Sequence, residues 1–285
     1  MKLIINNDVC TSCGLCREEC PSKAVRVGKE NGEYSIYQPF CIACSHCGII
    51  CPVDAITTDA GEFPLWENPE IPPERLEAFI RGKRSVRRYK KQALPKDFIE
   101  DLLYTGSLTS TASNRQEWEV SVLTGPAVRE LGGEVIEYYA GLINLIKNPL
   151  MKIILRFTEA KRYINSPDTF KRLEKFVNKF RKGGDPLFFH APAVIILSAP
   201  KKERRFGKTD CVLAGSAMMY TAAGYGVGSC MIGFAETAMN LNKHIKTAGG
   251  VPGGNRVHLV FTLGYADRGY RKLPIRKKMP AAFKG

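Results

Sequence analysis

Cys10-Thr11-Ser12-Cys13-Gly14-Leu15-Cys16-Arg17-Glu18-Glu19-Cys20-Pro21 and Cys41-Ile42-Ala43-Cys44-Ser45-His46-Cys47-Gly48-Ile49-Ile50-Cys51-Pro52 share one spacing, Cys-x2-Cys-x2-Cys-x3-Cys-Pro. Together they hold eight of the ten cysteines of the 285-residue chain. The second run starts 31 residues after the first, and the register continues past the thiols: Pro21-Ser22-Lys23-Ala24-Val25 is answered by Pro52-Val53-Asp54-Ala55-Ile56. Such ordered self-similarity is an internal duplication.

Three thiolates spaced by two residues can wrap one corner of an iron–sulfur cube, while the fourth is carried off by its three-residue gap and the proline turn. This is the spacing of bacterial two-cluster ferredoxins, in which the fourth cysteine ligates the other cluster. It predicts two [4Fe-4S] clusters, one on Cys10, Cys13, Cys16 and Cys51 and the other on Cys41, Cys44, Cys47 and Cys20. Structural zinc gives no reason for a fourth cysteine followed by proline in both runs. No Cys-x-x-Cys precedes a histidine, which excludes c-type haem attachment. A disulfide framework needs a secreted chain, and the apolar stretch in Met1-Lys2-Leu3-Ile4-Ile5-Asn6 is too short for a signal peptide. The thiolate sets are complete without His46, which is taken as a neighbouring or surface residue.

Apolar content of 44% with 25% charge is that of a globular protein. No uncharged apolar run reaches the ~18 residues of a bilayer span, so a cytoplasmic protein in a reducing compartment is expected. Cys211 and Cys230, outside the runs, are expected to be buried as small apolar side chains. The net charge of +14 is uneven: residues 1–66 carry −3 and the remainder +17. The contrast favours electrostatic docking between an acidic electron-carrying module and a basic body. The basic excess is assigned to a solvated surface and an anionic cofactor, with no nucleic-acid partner, because no nucleic-acid motif appears.

Pro64, Pro69, Pro72 and Pro73 break periodicity and mark a semi-rigid linker over residues 63–73, between a small domain over 1–62 and a larger one over 74–285. Pro73 and Pro95 each open a helix; strands are predicted over 119–124, 193–198 and 257–263, and a helix over 209–223. Gly215 and Ser216 in that helix suit close packing against another helix. Helices separate strands too far apart for hairpins, which predicts an α+β fold behind the cluster domain. Residues 132–182, apolar and then basic, are expected to form a lid or packing element in preference to a membrane-surface helix.

Clusters move single electrons, so the larger domain is expected to hold a group that collects them, and a flavin is the natural coupler. Lys83-Arg84-Ser85-Val86-Arg87-Arg88-Tyr89 resembles the basic-Arg-Ser-x-basic motif of the nitroreductase family, FMN proteins in which this segment binds the flavin phosphate and ring edge. Arginine forks pair bidentately with phosphate, and a cation near the ring suits the anionic reduced flavin. Ser113-Asn114-Arg115-Gln116-Glu117-Trp118 is similar to the family's Ser-x-Asn-x-Gln-Pro-Trp segment, whose Asn meets the flavin pyrimidine edge. Gly226-Val227-Gly228-Ser229-Cys230-Met231-Ile232-Gly233 resembles its Gly-x-Gly-Ser-Cys-Trp-x-Gly stretch, whose backbone approaches the ring. Leu263-Gly264-Tyr265 followed by Arg271-Lys272-Leu273-Pro274 resembles its closing strand end and basic pair. The resemblance covers roughly residues 74–275. It implies FMN contacts from Lys83, Arg84, Ser85, Arg87, Asn114, Gln116, Met231, Ile232, Gly233, Arg271 and Lys272, no dedicated catalytic acid, and a homodimer with FMN between subunits. Glu117, Lys83 and Met231 depart from the family's usual Pro, Arg and aromatic residue, so the substrate face is expected to differ.

The expected activity is that of an iron–sulfur flavoprotein oxidoreductase: electrons pass from the clusters to FMN and leave as a hydride equivalent to an electron-poor small molecule, nitroaromatic or quinone-like. The donor is a soluble ferredoxin or NAD(P)H. The alternatives are reductive dehalogenation or a biosynthetic flavin reaction, and a non-enzymatic electron carrier or redox sensor.

Overall fold

A computed structural model describes residues 1–158, 164–202 and 205–285. The chain divides into two compact units, Met1–Ile71 with Thr111–Gln116, and Pro72–Ser110 with Glu117–Gly285. The division falls within the proline-rich stretch, but one short piece of the later chain folds with the first unit.

The first unit is two small hairpin-like sheets and two single-turn helices. Strand β1 (Leu3–Ile5) pairs antiparallel with β4 (Ile56–Thr58), and β2 (Val25–Val27) with β3 (Tyr34–Ile36). Helices α1 (Leu15–Glu18) and α2 (His46–Ile49) each carry the third cysteine of their run, Cys16 and Cys47. The duplication is visible in the backbone. Positions 31 apart share the left-handed conformation: Ser12 with Ala43 (φ 56 and 51), Gly14 with Ser45 (85 and 67), and Lys23 with Asp54 (53 and 51). Non-glycine residues adopt this region only where surroundings compel it. The compelling feature is that the chain turns its amides onto sulfur: Ser12 N–H donates to Cys10 Sγ and Ala43 N–H to Cys41 Sγ, each at 3.4 Å, and Ala24 N–H and Ala55 N–H donate to Cys20 and Cys51 Sγ at 3.2 and 3.3 Å. Leu3, Val25, Cys47 and Ile56 form the core. Phe63 lies so close over Gly48 that a methyl group there would overlap its ring.

In the second unit, β5 (Glu119–Thr124), β6 (Ala193–Pro200), β7 (Val227–Met231) and β8 (Asn255–Tyr265) form one antiparallel sheet in the order β5-β6-β8-β7. Strand β6 is buried on both faces, which accounts for its unbroken apolar run. Successive side chains point to opposite faces. Val194, Ile196 and Val260 enter a core shared with α5 (Pro126–Lys147), α7 (Pro167–Arg181) and α9 (Gly233–Leu241). Ile195, Leu197, Leu259 and Phe261 enter another shared with α4 (Lys96–Ser107) and α8 (Gly207–Gly224). Gly215 of α8, expected at a helix–helix contact, instead lies over Leu259 of the sheet, where a Cβ would collide. Cys211 and Cys230 are buried, and burial, with Asp210 adding, pushes the Cys211 thiol up to about 12.

Helix α3 (Pro73–Gly82) starts at a proline whose missing N–H costs nothing in the first turn. Helix α6 (Pro149–Leu155) is capped by Asn148, whose Oδ1 accepts from the amides of Leu150 and Met151. Helix α10 (Lys243–Ala248) is capped likewise by Asn242. Within residues 132–182, α5 and α7 are core elements through Val135, Ile136, Tyr139, Leu173 and Val177, whereas α6 leaves Leu150, Ile153 and Ile154 exposed. Residues 159–163 of that segment lie outside the described ones. No helix among the described residues is long and apolar enough to cross a membrane.

Candidate functional site

The first unit gathers its eight thiols into two groups. Burial raises the Cys16 pKa, and the charges that add to it are those of Cys10, Cys13 and Cys51. Burial pushes Cys47 up to about 11, helped by Cys41, Cys44 and Cys20. Each group thus takes three thiols from one run and the fourth from the other. The first group lines a cavity with Ile5, Tyr34 and Ala55. The described residues hold no trio of ligating side chains close enough for one metal ion; four thiols around a cube stand farther apart than that. Four sulfurs facing a common space, with backbone amides already aimed at Cys10, Cys20, Cys41 and Cys51, suit an anionic iron–sulfur cluster, whose potential depends on such hydrogen bonds. At Cys20, burial raises the pKa, but hydrogen bonds from the Val25 amide, the Ser22 hydroxyl and the Ala24 amide outweigh it and lower the value.

In the second unit, residues 83–89 run along the edge of β7. Ser85 bridges Ser229 in parallel, and Val86 N–H donates to the Ser229 carbonyl at 3.0 Å. Gly228 makes this approach possible, since a Cβ there would overlap Val86. Tyr89 locks the far end: its buried hydroxyl donates to the Val86 carbonyl at 2.8 Å and lies 2.7 Å from Thr262 Oγ1, and Gly264 leaves room for its ring. Lys90 N–H and Asp267 N–H continue the stitching to Tyr265 and Arg88. Tyr270, next to Arg271, donates from its hydroxyl to the Ser85 carbonyl at 3.3 Å. The structure therefore brings Lys83, Arg84, Ser85 and Arg87 together with β7 and with the chain entering Arg271 and Lys272. Met231 is exposed and Ile232 buried at the end of β7, and Gly233 opens α9.

Two polar atoms in this set are buried without a hydrogen-bond partner, Arg84 Nε and Ser229 Oγ. Such groups are costly in a finished interior. Here a guanidinium donor and a hydroxyl flank one backbone bridge, a donor set fitted to a phosphate or to the polar edge of a flavin. Burial lowers the Lys83 pKa, with Cys230 opposing and Arg84 adding to the shift. An anion beside Lys83 would oppose that shift.

Asn114 and Gln116 lie in the first unit. Asn114 Nδ2 donates to the carbonyls of Ile42 and Ala43 at 3.2 and 2.8 Å, and its Oδ1 accepts from Gln116 Nε2 at 3.0 Å. Its amide nitrogen thus donates to the Cys41–Cys44 turn. Tyr89, Ser229 and Tyr270 were not among the expected site residues. Ser229 had a signal in the Gly-x-Gly-Ser run; the roles of Tyr89 and Tyr270 depend on contacts more than a hundred residues away.

The family model "Nitroreductase family" matches residues 80–265, and "4Fe-4S dicluster domain" matches residues 2–52. The chain belongs to the nitroreductase family. It joins that family's domain to a segment that matches a 4Fe-4S dicluster domain. A chloronitrobenzene nitroreductase of Comamonas testosteroni is 24% identical over 67% of this chain and 87% of its own length. A 4-nitrobenzoate reductase of Nocardioides sp. is 38% identical over 76 residues, so the match covers only 30% of that relative. A ferredoxin of Pyrobaculum islandicum is 36% identical over 29% of this chain and 83% of its own. Among solved structures, an FMN-bound nitroreductase from Bacteroides fragilis superposes with a TM-score of 0.56 at 18% identity, covering 73% of this nitroreductase-family chain and 98% of the other. At that identity the likeness establishes the fold of the second unit.

Proposed function

We propose that this protein carries electrons from two [4Fe-4S] clusters to FMN and delivers them to an electron-poor small molecule of the nitroaromatic or quinone class. The observation that supports it most directly is the pair of four-thiol groups, Cys10/Cys13/Cys16/Cys51 and Cys41/Cys44/Cys47/Cys20, in one chain with a basic segment whose Arg84 Nε is buried without a hydrogen-bond partner among the described residues. The eight thiols are the cluster ligands. Lys83, Arg84, Ser85 and Arg87, with Arg271 and Lys272, hold the FMN phosphate and ring edge, and Met231, Ile232 and Gly233 present backbone beside the ring.

Bound FMN supplies the conversion between one-electron and two-electron transfer. The chain's own residues supply position and charge: the Ser85–Ser229 bridge sets the segment, Tyr89 holds its far end, and Lys83 places a cation. The Comamonas and Nocardioides relatives, named for chloronitrobenzene and 4-nitrobenzoate, support the nitroaromatic class. We place the protein in the reducing cytoplasm, where eight unpaired thiols persist, and assign a soluble ferredoxin or NAD(P)H as donor. Anaerobically purified protein should contain about eight irons and one FMN per chain. Stopped-flow mixing with reduced ferredoxin should bleach the clusters before the flavin. Fast flavin bleaching by NADPH with oxidised clusters would reverse the electron route.

A further inference from the structure

Past the fourth cysteine the two runs read Cys20-Pro21-Ser22-Lys23-Ala24 and Cys51-Pro52-Val53-Asp54-Ala55. Their backbones match. Lys23 and Asp54 are both left-handed, with φ of 53 and 51. The amides of Ala24 and Ala55 donate to Cys20 and Cys51 Sγ at 3.2 and 3.3 Å. The turns that open the runs match as well, with the Ser12 and Ala43 amides each 3.4 Å from Cys10 and Cys41 Sγ.

Against that paired background one side chain breaks the symmetry. Ser22 Oγ lies 3.6 Å from Cys20 Sγ, a hydrogen bond in which either atom could donate in the free thiol. A sulfur bound to iron is a thiolate without its proton, so beside a cluster the hydroxyl is the donor. Val53, the duplicate of Ser22, offers only methyl groups. Both side chains are half-buried, which shields the Ser22 bond from competing water. The next residues differ in the same sense, Lys23 against Asp54, but both are exposed and their fields are screened.

We infer that Ser22 is a potential-setting residue: its hydroxyl raises the reduction potential of the cluster that Cys20 completes with Cys41, Cys44 and Cys47, and Val53 withholds the same bond from its twin. This rests on the cluster reading above. Reduction adds one electron, whose charge is shared by the ligating sulfurs. A hydrogen bond strengthens as its acceptor becomes more negative, and hydrogen bonds to sulfur are among the controls of cluster potential. The four amide bonds come in matched pairs and shift both couples alike, which leaves the hydroxyl as a difference between them. Burial of Cys47 and exposure of Cys13 act in the opposite sense, so the hydroxyl is read from the shift of each couple and not from their order. The consequence for electron flow is a bias of the stored electron toward the cluster completed by Cys20.

The duplication supplies the test, a swap of the two residues in the full-length protein. Anaerobic redox titration followed by EPR reads the couples, assigned to each cluster through the paramagnetically shifted β-protons of Cys10 and Cys41. Ser22→Ala and Ser22→Val should keep both clusters, move the couple of the Cys41 group to lower potential and leave the Cys10 couple in place. Val53→Ser should raise the Cys10 couple alone, and it decides the matter should the Ser22 variants lose iron. A Cys41 couple that stays put in Ser22→Ala, both couples moving together, or a Cys10 couple that fails to rise in Val53→Ser overturns the inference while leaving the cluster reading intact. A parent protein without two [4Fe-4S] clusters overturns both.

Discussion

Lys83 keeps its ammonium half-buried, 3.8 Å from the Met219 sulfur and 5.6 Å from the centre of the Tyr220 ring, without a carboxylate partner among the described residues. Its folded pKa lies below the 10.5 of an unfolded lysine. Between the two values the unfolded chain binds more protons, so FMN-free protein should gain stability as pH rises through that alkaline window. Urea midpoints of the apoprotein should climb as pH approaches 10.5, and the climb should be smaller in Lys83→Met. The same variant should be more stable than the parent near neutral pH, where the buried charge is a cost, yet bind FMN more weakly. Arg84 is the sharper test of the flavin assignment. A hydrogen bond to a charged group contributes about 1.5–3 kcal/mol, so Arg84→Met should weaken FMN binding roughly tenfold to a hundredfold, measured by quenching of flavin fluorescence on titration with apoprotein. Unchanged affinity would remove Arg84 from the site.

Strand β7 shows how an element can be specified by what it meets. Val227-Gly228-Ser229-Cys230-Met231 contains a glycine that weakens strand propensity, yet it pairs with β8 over its whole length and receives Val86 at the one position without a side chain. Gly228→Ala should force Val86 away, loosen residues 83–89 and lower both FMN content and melting temperature. Adding Val86→Ala should recover much of both losses. By contrast, β5 and β6 were legible because β-branched residues and clear turn signals mark them locally, and α8 because an Ala- and Met-rich run carries helix propensity. The two faces of β6 were not: an unbroken apolar run does not say which neighbours cover it. In the first unit, Gly48→Ala should displace Phe63 from its place over α2. Faster oxidative loss of cluster absorbance is the expected consequence.

The molecule as a whole is strongly basic, and the exposed apolar side chains of its second unit include Leu76, Phe79 and Ile80 on α3, and Ile275, Met279 and Phe283 in the final stretch, each of the latter at least 91% exposed. Long exposed apolar segments of this kind mark association surfaces, which supports the homodimer implied by the family. Light scattering should give twice the mass of the 285-residue chain, and deletion of residues 275–285 should shift the equilibrium toward monomer. Net charge of +14 also bears on the donor. If an acidic ferredoxin supplies electrons, the second-order rate of cluster reduction should fall steeply with added salt, as screened attraction requires, whereas a salt-independent rate would argue against an electrostatically steered donor.

The sequence by itself determined the elements whose causes are local: the paired cysteine turns, the proline-started helices and the strands dense in β-branched residues. Each depends on neighbours within a few positions, which a linear reading sees. Only the tertiary structure decided that Val86 seats on Gly228 and that Tyr89 reaches Thr262. A tyrosine hydroxyl both donates and accepts, so residue type alone leaves its partner open. Spatial neighbourhood selects one, because two polar groups cannot occupy the same hydrogen-bonding direction.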